Sequence, residues 1–128
     1  MHNLYLEEVL EHSRYPQNSQ ALQSFTHSVE FKNRSCGDEV LIQLLVKKNR
    51  IEALAIVVEG CSLARAGGSV LSGLIKDKSF PCRISQFEIA SVLGLGGVRR
   101  ADCLLLSLNA LKKLYAQTIP SFEQMDDK

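Results

Sequence analysis

The sequence predicts an α+β domain: a small three-stranded antiparallel sheet with helices packed on one face. Three observations carry this. Two alternating apolar segments, Glu39–Lys47 and Ile51–Glu59, flank a Lys48-Asn49 dipeptide. A third alternating segment, His27–Lys32, precedes them. From Ser62 onward the apolar spacing changes from two residues to three or four, the helical period.

The elements follow in chain order. Leu4, Leu6, Val9 and Leu10, with Glu7, Glu8 and Glu11 between them, predict an amphipathic helix over residues 3–14. Pro16 stops it by pushing Tyr15 out of the helical region. Residues 17–26 read as polar and irregular. In the first strand Val29 and Phe31 share a face opposite Glu30 and Lys32. After the loop Asn33-Arg34-Ser35-Cys36-Gly37-Asp38, the second strand presents Val40, Ile42, Leu44 and Val46 to one side. Ile51, Ala53, Ala55 and Val57 are expected to repeat that face on the third. Lys48-Asn49 suits a tight hairpin turn, because Asn tolerates positive φ.

Ser62 is the expected N-cap of a helix running to Lys76, with Leu63, Ala66, Gly67, Val70, Leu71 and Leu74 on one face. Gly67, Gly68 and Gly73 each cost about 1 kcal/mol against Ala within a helix, which points to close backbone packing. Phe80-Pro81 breaks the chain, Ile84–Leu93 predicts a short helix, and Gly94-Leu95-Gly96-Gly97 reads as a connection. Arg100–Ala116 is the longest helical pattern, with Leu104, Leu108, Leu111 and Tyr115 on a stripe. The polar tail from Thr118 to Lys128 is expected to fray.

The 128 residues fit a single domain, 1–128. A hydrophobic fraction of 45% is too high for a disordered chain, and no apolar run is long enough to span a membrane. Fifteen basic residues face fourteen acidic ones without a basic stripe, and Trp is absent, so nucleic-acid binding is disfavoured. Met1-His2-Asn3-Leu4 lacks the basic start and apolar stretch of a secretory signal, and a cytoplasmic location is expected.

The four cysteines, Cys36, Cys61, Cys82 and Cys103, include no CxxC pair, which excludes a zinc ribbon or a thioredoxin motif. The open end of the predicted hairpin brings Cys36 and Cys61 together, with the Asp38 carboxylate close by. Cys103 could join them if the last helix docks there. Three thiolates and a carboxylate make a four-coordinate set suited to zinc or iron. Cys61 stands just before a helix N-terminus, where the helix dipole favours an anion. The alternative stays open, since free cysteines commonly serve as small core residues. Cys82, beside Pro81, has no evident ligand partner; His12 and His27 lack ligand spacing and read as structural or solvated. Asp102 fits a helix N-cap at least as well as a ligand.

In order along the chain these residues resemble the NifU-like iron–sulfur cluster scaffold family, of IscU and SufU type. Leu4 to Asn18 is similar to the family's N-terminal helix and its HYxNPRN-type turn. Cys36-Gly37-Asp38 matches the CGD motif, and Gly60-Cys61-Ser62-Leu63-Ala64-Arg65-Ala66 resembles the GCxIxxAS segment. Arg100-Ala101-Asp102-Cys103, with Leu106, Ala110 and Leu111, is similar to the RxxCxxLxxxAL pattern of the SufU branch. Asp102 stands where IscU-type chains carry His, and Leu95-Gly96-Gly97-Val98-Arg99 replaces their LPPVK-type signal. The resemblance implies a scaffold or carrier, not a turnover enzyme. It implies Cys36, Asp38, Cys61 and Cys103 as metal ligands, with Asp102 and Arg100 as secondary site residues. The bound species would be a 2Fe–2S cluster or a zinc ion. The implied partners are a cysteine desulfurase and apo iron–sulfur acceptor proteins. A second reading is a zinc-bound sulfurtransferase partner that accepts persulfide without carrying a cluster.

Overall fold

The structure is a computed structural model that describes residues 2–34, 37–93 and 104–118. The elements in order are α1 (His2–Arg14), β1 (His27–Lys32), β2 (Glu39–Lys47), β3 (Arg50–Glu59), α2 (Ser62–Ile75), α3 (Gln86–Val92) and α4 (Leu106–Thr118). The strands pair antiparallel in the order β1-β2-β3. The α+β architecture expected from the sequence is the one observed.

The β2–β3 turn forms because both of its residues take left-handed backbone, Lys48 at φ 55° and Asn49 at φ 61°. That geometry matches the right-handed twist of the strands it joins. On the inner face Val40, Ile42 and Leu44 of β2 lie opposite Val58, Ile56 and Leu54 of β3. This corrects the expected face of β3. The register shifts between Leu45 and Val46, so Val46 pairs with Ile51 while Leu45 pairs with Ala53. The irregularity lets Ile51 face the core at one end of the strand and Leu54, Ile56 and Val58 at the other, leaving Ala53, Ala55 and Val57 on the outer face.

Helices α2 and α4 pack on the inner face, and α1 and α3 pack against α2. The core joins Val29, Ile42, Leu44, Ile51 and Ile56 of the sheet to Val70, Leu71 and Ile75 of α2 and Leu108, Leu111 and Tyr115 of α4. Gly67 and Gly68 of α2 act as their cost suggested, whereas Gly73 is exposed and a Cβ there would meet only the flexible end of Gln17. A Cβ at Gly67 would collide with the Leu104 carbonyl oxygen. One at Gly68 would lie 2.9 Å from both Ser107 Oγ and a Val58 methyl. Glycine therefore lets α4 and the sheet approach the α2 backbone directly.

The segment read as irregular has a definite job. The Asn18 carbonyl accepts the Ile56 N–H at 2.9 Å, so the chain after α1 covers the free edge of β3. It then crosses the outer face, where the Leu22 N–H donates to Gln43 Oε1 at 2.7 Å. Ala55, on that face, is 0% exposed. The start of the segment is tied to α2. Ser69 Oγ meets His12 Nδ1 at 2.7 Å and accepts the Gln17 N–H at 2.9 Å. Ser72 Oγ donates to the Gln17 carbonyl and accepts from Asn18 Nδ2. His12 is thus structural, as expected. His27 bonds Thr26 Oγ1 through its Nδ1 at 2.8 Å and packs against the Phe80 ring.

Two helix starts differ from expectation. Cys61, not Ser62, caps α2: its Sγ accepts the Ala64 N–H at 3.4 Å. The short helix α3 begins at Gln86 instead of Ile84, because Ser85 and Glu88 form a reciprocal capping box. Residues 104–105 form a turn and α4 begins at Leu106; residues 100–103 of the expected helix lie outside the described residues.

Candidate metal centre

The β2–β3 ladder opens at Glu39 opposite Glu59. One residue further out, Asp38 and Gly60 therefore face each other. Asp38 is held from behind by the turn that links β1 to β2. The Asn33 N–H donates to the Asp38 carbonyl at 2.9 Å, and the Gly37 N–H donates to the Asn33 carbonyl at 2.7 Å. Gly37 takes φ +78°, a conformation side-chain-bearing residues rarely adopt.

The Asp38 side chain folds over Gly60. A Cβ at residue 60 would lie 2.5 Å from the Asp38 carboxyl carbon. Only glycine leaves room for the carboxyl there, a requirement the sequence reading did not assign to Gly60. Asp38 is 7% exposed, and its Oδ2 is buried with no hydrogen-bond partner among the described residues. Leaving a carboxylate oxygen buried and unpaired costs free energy, about 1–3 kcal/mol or more. Buried polar atoms of this kind often mark a position that another species completes.

Beside it, Cys61 leaves the strand in extended backbone and its thiol is exposed. The residue's cap role aims Sγ at the first turn of α2, whose free N–H groups favour negative charge. The open end of the hairpin thus joins a carboxylate and a thiol, two donor types that zinc and iron accept. Of the other expected site residues, Cys36, Arg100, Asp102 and Cys103 lie outside the described residues. Among the described residues no three His, Cys, Asp or Glu side chains gather at one point. The described chain resumes at Leu104, one residue after Cys103, against the backbone of Gly67.

Cys82 stands elsewhere, packed half-buried against the core. Its N–H donates to Tyr115 Oη at 3.0 Å. Burial, opposed by the Lys78 ammonium and aided by the Glu88 carboxylate, raises the thiol's pKa. Burial also pushes the Tyr115 phenol up to about 12, against the Cys82 backbone bond, which lowers it.

An α+β arrangement of this kind is found in proteins of known structure. SufU from the thermophile Fervidobacterium islandicum AW-1, a SUF-system scaffold protein, superposes with a TM-score of 0.71 at 20% identity, covering 88% of this chain and 97% of the other. The N-terminal part of a nitrogen-fixing NifU-like protein from Brucella abortus gives 0.72 at 18% identity, covering 90% and 94%. These likenesses establish the fold. The family follows from sequence: residues 4–120 match the model of the NifU-like N terminal domain, and the chain belongs to that family.

Curated relatives include an iron–sulfur cluster assembly scaffold protein IscU of Archaeoglobus fulgidus, 28% identical over 86% of this chain and 73% of that protein. The IscU scaffold protein of Streptococcus pyogenes serotype M1 is 25% identical over 88% and 83%. The zinc-dependent sulfurtransferase SufU of Bacillus subtilis is 27% identical over 69% of this chain and 59% of its own length.

Proposed function

We propose that the chain is a scaffold on which an iron–sulfur cluster is assembled and from which it is transferred, with sulfur accepted from a cysteine desulfurase. The observation that carries this reading is the buried Asp38 oxygen, without a partner among the described residues, lying against Gly60 beside the exposed Cys61 thiol. A purely structural Asp at a turn would bond nearby N–H groups. The named relatives give the donor pair its direction, toward cluster assembly.

In this reading Cys36, Asp38, Cys61 and Cys103 form the ligand set, with Arg100 and Asp102 next to it. The cargo is a 2Fe–2S cluster, passed on to apo acceptor proteins. Asp38 supplies the hard ligand among soft ones, so its bond to iron exchanges more readily than a thiolate bond. Cys61 supplies a thiolate at a helix start. The chain acts as one domain, as a carrier and not as a turnover catalyst, in the cytoplasm. Among the described residues no helix is long and apolar enough to cross a membrane.

The name of the Bacillus subtilis relative favours one other reading, a zinc-bound sulfur acceptor that never holds a cluster. Anaerobic reconstitution with ferrous iron and sulfide separates the two. A scaffold develops visible sulfur-to-iron charge-transfer bands with iron and sulfide in equal amounts, while a zinc sulfur acceptor stays colourless and retains zinc. A colourless protein without zinc would reject both.

A further inference from the structure

The turn end of the β2–β3 hairpin gathers positive charge. Residues 47–52 and 76–80 meet there. The Ile51 N–H donates to the Lys78 carbonyl at 2.8 Å, the Asp77 N–H to the Ile51 carbonyl at 2.9 Å, and the Phe80 N–H to the Asn49 carbonyl at 2.8 Å. The two stretches carry five cations, Lys47, Lys48, Arg50, Lys76 and Lys78, and two carboxylates, Glu52 and Asp77. Of the cations, all but Lys76 are exposed. The stretches are distant in sequence, so the cluster leaves no basic run to read.

Both carboxylates are already used. Glu52 pairs with Lys47 at 3.6 Å, and Asp77 with Lys76 at 3.6 Å. Lys48, Arg50 and Lys78 have no carboxylate partner among the described residues. Arg50 Nε donates to the Asp77 carbonyl at 3.2 Å, and Lys78 Nζ to the Leu74 carbonyl at 3.3 Å. The neighbouring chain supplies no counter-charge. Neither residues 17–29 nor α4 contains an acidic side chain. Glu88, the next carboxylate after Asp77, shares its cleft with Arg83 and Lys112. Two placements here also work against stability. Lys47 and Arg50 stand directly opposite across the ladder, and like charges so placed destabilise a sheet. Lys48 takes a left-handed backbone that Gly or Asn adopts more readily.

We propose that the turn end docks an acidic segment of a partner protein, with carboxylates set against Lys48, Arg50 and Lys78. Unmatched cations on a hydrogen-bonded platform attract such a segment across a Debye length, about 8 Å in physiological salt. Carboxylate fits this end better than the phosphates of nucleic acid. Four of the five cations are lysines, which lack the planar fork that grips phosphate at two points. The Phe80 ring beside them is already engaged by His27 and Tyr115 and is not open to a base. A second copy presenting the same end would set cations against cations. Strand β2 has nine residues, so at roughly 3.3 Å each the turn stands about 26 Å from the open end. A segment held at the turn therefore leaves Cys61 uncovered, and its docking does not depend on metal chemistry.

The test is an NMR titration of the full chain, labelled with nitrogen-15, with the blocked hexapeptide Ser-Glu-Glu-Leu-Glu-Asp. A control peptide carries glutamine and asparagine in place of the acids. Shift changes should centre on Lys48, Arg50 and Lys78, shrink as salt is raised, and be absent with the control. Lys48→Glu together with Lys78→Glu should weaken the acidic peptide about tenfold by turning attraction into repulsion. Glu59→Gln, at the other end of the hairpin, should leave its binding unchanged. Equal binding of both peptides, shifts centred elsewhere, or no shifts at millimolar peptide would overturn the proposal. So would tighter binding of a short DNA duplex at the same residues in physiological salt, since the surface would then serve nucleic acid. So would tightening of the peptide when Glu123→Gln, Asp126→Asn and Asp127→Asn are introduced together, since the occupant would then be the chain's own acidic residues.

Discussion

The β2–β3 hairpin has two ends, and each lies near a cysteine. At the turn end the chain after α2 ties the hairpin down through several hydrogen bonds. The Phe80 N–H donates to the Asn49 carbonyl, the Ile51 N–H to the Lys78 carbonyl, and two residues past Phe80 the Cys82 N–H finds the Tyr115 hydroxyl. Phe80 meets the Tyr115 ring edge-on at 5.5 Å. At the open end a carboxylate oxygen is buried without a partner among the described residues and the thiol is left in solvent. The same element is stable at one end and unfinished at the other. Unfinished polar groups concentrate where a protein trades stability for chemistry.

The sharpest way to break the contrast is to disturb what both ends rest on. Gly67→Ala would drive a methyl into the Leu104 carbonyl, a backbone atom that cannot rotate aside. We expect a loss of about 3 kcal/mol, or about 10 °C in melting temperature, measurable by calorimetry.

A slightly smaller effect should appear at the closed end on raising pH. Tyr115 ionises at about 12 in the folded protein, above its ordinary value of 10. Between these values the folded state holds a proton the unfolded state has lost, so the phenol's contribution to stability is full below pH 10 and falls as pH rises toward 12. The loss should reach about 2 kcal/mol, and Tyr115→Phe should remove that slope. Phe at this site would also cost about 1 kcal/mol at neutral pH by orphaning the Cys82 N–H.

The cysteines test the comparison directly. Iodoacetamide, followed by peptide mass mapping, should label Cys61 about tenfold faster than Cys82, whose thiol is half-buried with a raised pKa. Cys82→Ser should retain the metal stoichiometry and Cys61→Ser should lose it; equal losses would dissolve the distinction between the ends.

The smallest effect is expected at Asp38. Asp38→Ala removes a carboxylate whose Oδ2 has no partner among the described residues, so metal-free protein should melt within about 1 kcal/mol of wild type. A cluster bound to the variant should decay more slowly and transfer more slowly. Faster decay at an unchanged melting point would make Asp38 a net stabilising ligand.

Much of the fold was legible because period and turn chemistry agree locally. Alternation located the three strands, and Lys48-Asn49 located the turn. The inner face of β3 was not legible, because the register shift after Leu45 is a property of the pairing and leaves no mark in strand composition. The segment 17–26 looked irregular for a related reason. Its bonds go to Ser69, Ser72, Ile56 and Gln43, all distant in sequence. Within it Asn18 takes φ 51°. At the candidate site, spacing found Asp38 and Cys61 because hairpin ends are neighbours by construction. Gly60 escaped notice because its role depends on a side chain folding across the ladder. The Cys61 cap was passed over for Ser62, since a thiol is a weaker acceptor than a hydroxyl.

Helix α2 joins the Cys61 end of the molecule to Leu104 through Ala64, Gly67 and Gly68, all buried. A face so lean has no rotamers with which to take up a displacement. Long side chains would act as springs between the two helices; here backbone bears on backbone, as hard stops. Movement imposed at the thiol end is therefore passed to Leu104 as a rigid shift of the whole rod. Any local give at this end of the molecule then falls to the Asp38 side, where a carboxyl on one rotatable arm rests over a glycine.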